Sequence, residues 1–101
     1  FQESYCGLCL DLGHLLLYDQ ETILTHECWL ERLKMLHAYG VYQRSSRHGP
    51  LSELSSRGKV MLRELLRALP ANGVVVLEVF SPGDLFTSLD IFKTWIRNWT
   101  L

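Results

Sequence analysis

The chain lacks a surplus of either charge: ten Lys and Arg against eleven Asp and Glu leave a formal net charge of −1. Nothing global therefore draws it to nucleic acid or to an anionic membrane, and any anion it binds must be held locally. It lacks an apolar run near the roughly 18 residues that span a bilayer, and it shows no secretory leader. It does not open with Met; Phe1 suggests a processed or truncated product. Cysteine is scarce, and the three present (Cys6, Cys9 and Cys28) cannot all pair with one another. Cys6 and Cys9 fall within an expected strand, where residues three apart face opposite sides. A shared metal is therefore not expected of them. All three read as small buried apolar side chains in a reducing, cytoplasmic setting. Repeats, low-complexity tracts and linkers are missing, and no G-x-G-x-x-G follows the first strand, which argues against half of a dinucleotide-binding fold.

What remains is an ordinary folded composition, 48% hydrophobic and 21% charged over 101 residues. That is enough for one small domain with a single core. Residues 5–10 are short and apolar and lead into Asp11-Leu-Gly13, which reads as a strand. A helical stretch follows in two pieces, His14–Tyr18 and then about 19–32, where Ile23, Leu24, Trp29, Leu30 and Leu33 recur at mostly helical spacing. A second strand covers 33–38. Residues 39–55 are polar and basic and long for a connection, which more often marks function than filler. Ser55 or Ser56 then caps a helix carrying Val60, Met61, Leu62, Leu65, Leu66 and Leu69. Pro70-Ala-Asn-Gly73 ends it. Val74–Val79 is the clearest strand, and its unbroken apolarity fits a parallel sheet covered by helices. Ser81-Pro82-Gly-Asp84 opens a last helix to about Trp99, with Leu85, Leu89, Phe92, Trp95 and Ile96 on its apolar side. The order strand-helix-strand-helix-strand-helix predicts a parallel α/β arrangement with right-handed crossovers.

Three ionisable residues stand at the carboxyl ends of those strands: Asp11, His37 and Glu78. In a parallel sheet the three ends lie along one edge, and period-2 alternation places each residue with an apolar neighbour (Cys9, Met35, Val76) on one face. Two carboxylates and an imidazole suit zinc, manganese, cobalt or iron without choosing among them. A divalent ion there polarises an oxygen or lowers the pKa of a water toward about 7. His14 and His48 are candidate further ligands or proton carriers. Arg44 and Arg47 are candidate phosphate-binding residues. Each has a plainer reading as well: Asp11 as a helix cap, His37 as a hydrogen-bonded strand histidine, His14 as a helix-end residue, and the arginines and His48 as a solvated loop. Glu78 fits a plain reading least, because a carboxylate ending a buried strand is costly without a partner. His26 reads as structural.

Asp11-Leu-Gly-His14, His37, Arg47-His48 and Leu77-Glu78-Val79 resemble, in that order, the xylose-isomerase-like TIM-barrel superfamily of sugar isomerases, epimerases and type 2 AP endonucleases. The resemblance implies that Asp11, His37 and Glu78 bind the central metal and that His14 is a catalytic or second-metal residue. Ser46 stands where the endonuclease pattern has an acid, which argues against a third metal and against DNA repair. Leu36-His37-Ala-Tyr-Gly40-Val41, His48-Gly-Pro-Leu51-Ser52, Leu77-Glu78-Val79-Phe80-Ser81, Asp84-Leu85 and Ser88-Leu89 resemble one branch more closely, the cobamide-remodelling phosphodiesterases. That branch is metal-dependent and cleaves a phosphodiester in the nucleotide loop of corrinoids.

A full barrel of this kind takes about 250 residues. The chain is therefore expected to be a single partial domain, the last three strand-helix units of a (β/α)8 barrel. Its open strand edges and apolar inner face call for self-association or for the missing N-terminal part. The expected function is the C-terminal part of a metal-dependent phosphodiesterase acting on a corrinoid or similar small phosphoester, with little activity in isolation. A sugar or sugar-acid isomerase or epimerase is the alternative, and a non-catalytic α/β interaction module the second.

Overall fold

A computed structural model describes residues 7–41, 47–99 and 101. Cys6, Arg44 and Ser46 lie outside the described residues. In chain order the elements are β1 (Leu8–Asp11), α1 (Leu12–Leu17), a 3-10 turn (Glu21–Thr25), α2 (Glu27–Leu30), β2 (Leu33–Ala38), β3 (Gly40–Val41), β4 (His48–Gly49), a second 3-10 turn (Leu51–Glu53), α3 (Ser56–Ala68), β5 (Val74–Leu77) and α4 (Pro82–Asn98). The chain is thus a small mixed α/β domain.

β1, β2 and β5 form a parallel sheet in the order β1-β2-β5. Leu8 pairs with Leu33, but Cys9 pairs with Met35, so Lys34 is an extra residue on β2. From there the register runs to Asp11 opposite His37, and His37 in turn stands opposite Val76. β3 and β4 make a separate two-residue antiparallel pair that leads the chain back from β2 toward α3.

One face of the sheet carries the core. Leu12, Leu15 and Leu16 of α1 meet Leu36 and Ala38 of β2, and Met61, Leu62, Leu65 and Leu66 of α3 close over them. Those four α3 residues recur at i, i+1, i+4 and i+5, the stripe of a helix with one buried side. Ser55 caps α3 by accepting from the Gly58 N–H. Ser81 caps α4, with Pro82 in its first turn as expected. Each fully buried leucine contributes about 1.5–3 kcal/mol of transfer free energy.

Three expectations are corrected. The stretch 19–32 is not one helix: Asp19 takes a left-handed backbone (φ 52°), and His26 (φ −97°, ψ 79°) separates the 3-10 turn from the single-turn α2. The β-branched Thr22, Ile23 and Thr25 disfavour a longer helix there. Helix α4 is rotated from its expected setting. Leu85, Leu89 and Ile96 are exposed, while Ser88 is buried and Ile91, Phe92, Trp95 and Trp99 pack on the core. The cause is polar: the Leu51 N–H donates to Ser88 Oγ at 3.0 Å, anchoring the serine inward. Finally, Cys9 and Cys28 are exposed rather than buried. Cys9 lies on the face of the sheet away from the leucine core, in the row that runs through Met35 to Val74, and Cys28 sits in α2, none of whose residues is buried.

No helix among the described residues is long and apolar enough to cross a membrane.

Candidate metal centre

Three adjacent parallel strands deliver Asp11, His37 and Glu78 to one corner of the sheet. Asp11 is the last residue of β1 and His37 the penultimate residue of β2. Glu78 follows β5 directly, its N–H donating to the Ala38 carbonyl at 3.0 Å, so the ladder continues one residue past the formal strand. One donor atom from each of the three lies within 4.8 Å of the other two. The sequence-derived trio therefore converges, and all three side chains are half-buried.

Asp11 has two functions. Its Oδ1 accepts the His14 N–H at 2.9 Å, capping α1, and also the Tyr39 hydroxyl at 2.8 Å. The capping reading is thus correct, and Oδ2 is the oxygen left to offer a ligand. His37 Nδ1 lies 2.8 Å from Glu78 Oε1. A carboxylate only accepts, so Nδ1 carries the proton of that bond.

Two carboxylates and an imidazole are a donor set that divalent cations accept. Two donors of a tetrahedral ion, each about 2.1 Å from it, stand about 3.4 Å apart, so the His37–Glu78 pair, hydrogen-bonded at 2.8 Å, would have to open to admit one. Loading an ion between them would expel the shared proton. Cys9, on the same face, is a poor rival ligand. Partial desolvation, and then the Asp11 and Glu78 carboxylates, raise its pKa and hold it as the thiol.

His48 joins the group from β4. Its Nδ1 lies 3.0 Å from the Glu78 carbonyl oxygen and 3.6 Å from Glu78 Oε2. Both neighbours are acceptors, so Nδ1 carries a proton, and in the neutral ring Nε2 is the nitrogen with the lone pair. The ring stacks on Tyr39 at 3.7 Å and 5° and faces Phe80 at 5.2 Å and 23°.

His14 is brought only to the margin. It sits on α1 with its ring exposed, Nδ1 4.0 Å from Asp11 Oδ2, outside the trio. Arg47 lines an open cleft of about 620 Å³ with His48, Phe80, Ser81 and Asp84. His26 is exposed near Trp29, away from the centre.

The sequence reading missed Tyr39. It is 3% exposed, and it ties two site residues together through its bond to Asp11 and its stack on His48. Burial, then the Asp11 hydrogen bond and the nearby carboxylates, push its phenol pKa well above 10. Gly13 makes room for it, since a Cβ there would strike the phenol ring. The signal was available: the alternation that selects His37 and Glu78 also selects Tyr39 and Phe80, each two residues further on.

No family model, no curated protein and no solved structure matches this chain.

Proposed function

We propose that the chain is the C-terminal part of a metal-dependent phosphodiesterase barrel acting on a small phosphoester. The nucleotide loop of a corrinoid is the substrate that the motif resemblance implies. Asp11, His37 and Glu78 hold the cation, of the zinc, manganese, cobalt or iron class. The observation that carries the reading is the meeting of these three strand-end residues within 4.8 Å. A bound cation supplies Lewis acidity toward a phosphoester and an attacking water.

The chain's own groups do the rest. His48 Nε2 takes a proton, because its Nδ1 is committed to Glu78. Tyr39 and the His14 N–H keep Asp11 Oδ1 occupied, which leaves Oδ2 as the oxygen to serve as ligand. Arg47, at the mouth of the adjoining cleft, meets the phosphate charge. His14, farther out beside Asp11, is the exchange point with solvent.

Calorimetric titration with Zn2+, Mn2+ and Co2+ tests the centre. One site per chain is expected, with buffer-dependent heats from proton release. Glu78→Gln should weaken binding by at least about 100-fold, above the 10–100-fold typical of groups that merely orient ligands. Hydrolysis of bis(4-nitrophenyl) phosphate and of a cobamide is then measured for the chain with any flanking sequence its gene encodes. Turnover of a keto sugar without phosphoester cleavage would replace this reading by an isomerase or epimerase. The absence of any metal binding would leave a non-catalytic interaction module.

A further inference from the structure

Phe80 is 80% exposed, yet it is not a stray surface residue. Val79 beside it is buried, and Phe80, past the end of β5, sets its ring against His48, whose Nδ1 lies 3.0 Å from the Glu78 carbonyl oxygen. His48 in turn lies flat on Tyr39, whose hydroxyl is fixed to Asp11. Three rings thus form a stack that begins in the interior and ends on an open aromatic surface. That surface lines the 620 Å³ cleft with Arg47, Ser81 and Asp84. The cleft places one side-chain charge of each sign around the ring, so it does not form a cage for a second anion. It suits an uncharged flat group whose anionic end reaches the centre next door.

We infer that Phe80 is the floor of a substrate subsite for a planar aromatic or heteroaromatic ring carried on the phosphoester. The inference rests on the phosphodiesterase reading and names the other end of its substrate. Phe80 binds and orients this group by offset stacking. His48 and Tyr39 hold the platform from behind, so little freedom is lost when a fourth ring settles on it. The benefit is selectivity between aryl and alkyl esters rather than a faster chemical step.

The test titrates phenyl phosphate and methyl phosphate into the chain, with and without Zn2+, following the Phe80 and His48 ring signals by NMR. Phenyl phosphate should bind about 3- to 10-fold more tightly than methyl phosphate, the range expected of one stacking contact. Phe80→Ala and Phe80→Leu should abolish that preference and Phe80→Trp should keep it. Because the side chain is exposed, none of the three threatens folding. Equal affinity for the two phosphates, a preference that survives Phe80→Ala, or no binding of either overturns the subsite. A ring preference that persists while neither affinity responds to Zn2+ supports the subsite and removes the metal reading. A Zn2+ response without ring preference does the reverse.

Discussion

The two faces of the parallel sheet are made by neighbouring residues of the same strands, yet they differ in nearly everything else. Leu36 and Ala38 point to a side that α1 and α3 seal with leucine and methionine. Met35 and His37 point to the side away from that core, where Cys9 and Val74 are exposed and Asp11, His37 and Glu78 meet. Apolar burial on one side holds the backbone, and the other side is thereby free to carry groups that are costly to bury. The division also puts stability and chemistry on separate side chains, so substitutions should sort by face.

The largest effect should come from the sealed side. Leu36 and Leu62 are both wholly buried, and Leu36→Ala or Leu62→Ala should cost about 2–5 kcal/mol in urea unfolding. A loss under 1 kcal/mol would show that this face is not the core. Tyr39→Phe, at the junction of the two faces, should have a mixed effect. It removes the bond to Asp11 but keeps the stack on His48, so metal affinity should fall about 10–100-fold and stability by about 1 kcal/mol. The same variant carries a pH signature. A phenol whose pKa is raised by folding favours the native state below its ordinary value of about 10 and loses that contribution as pH rises through the folded value. Wild-type Tm should therefore drop between pH 9 and 11 by more than that of Tyr39→Phe; equal drops would count against the buried hydroxyl. The smallest effect belongs to the open side: Met35→Ala should change stability by at most about 1 kcal/mol. A core-sized loss there would erase the contrast between the faces.

What could be read from residues alone follows the same division. Strand ends were legible because alternation and abrupt changes of polarity mark them, and the trio of Asp11, His37 and Glu78 came directly from that pattern. Ser55 and Ser81 were legible as caps for a local reason, a hydroxyl three residues before a free N–H. Features set by tertiary contact were not. The rotation of α4 depends on Leu51 finding Ser88 across 37 residues. The pairing of β3 with β4 rests on two residues a side, too short to show a period. Exposure of Cys9 depends on what does not cover the sheet, which no local pattern encodes. Tyr39 shares the alternation of His37, but its stack on His48 is set by tertiary contact.

The extra residue on β2 reaches further than its size suggests. Leu33 and Leu36 are three apart, so a regular strand would point them to opposite sides, yet both are fully enclosed. Lys34 absorbs the mismatch and resets the phase before His37. A descendant of this chain that lost Lys34 could plug its interior with Leu33 or present the imidazole beside Asp11, but not both. Along this segment, point changes should be forgiven far more readily than a single deletion.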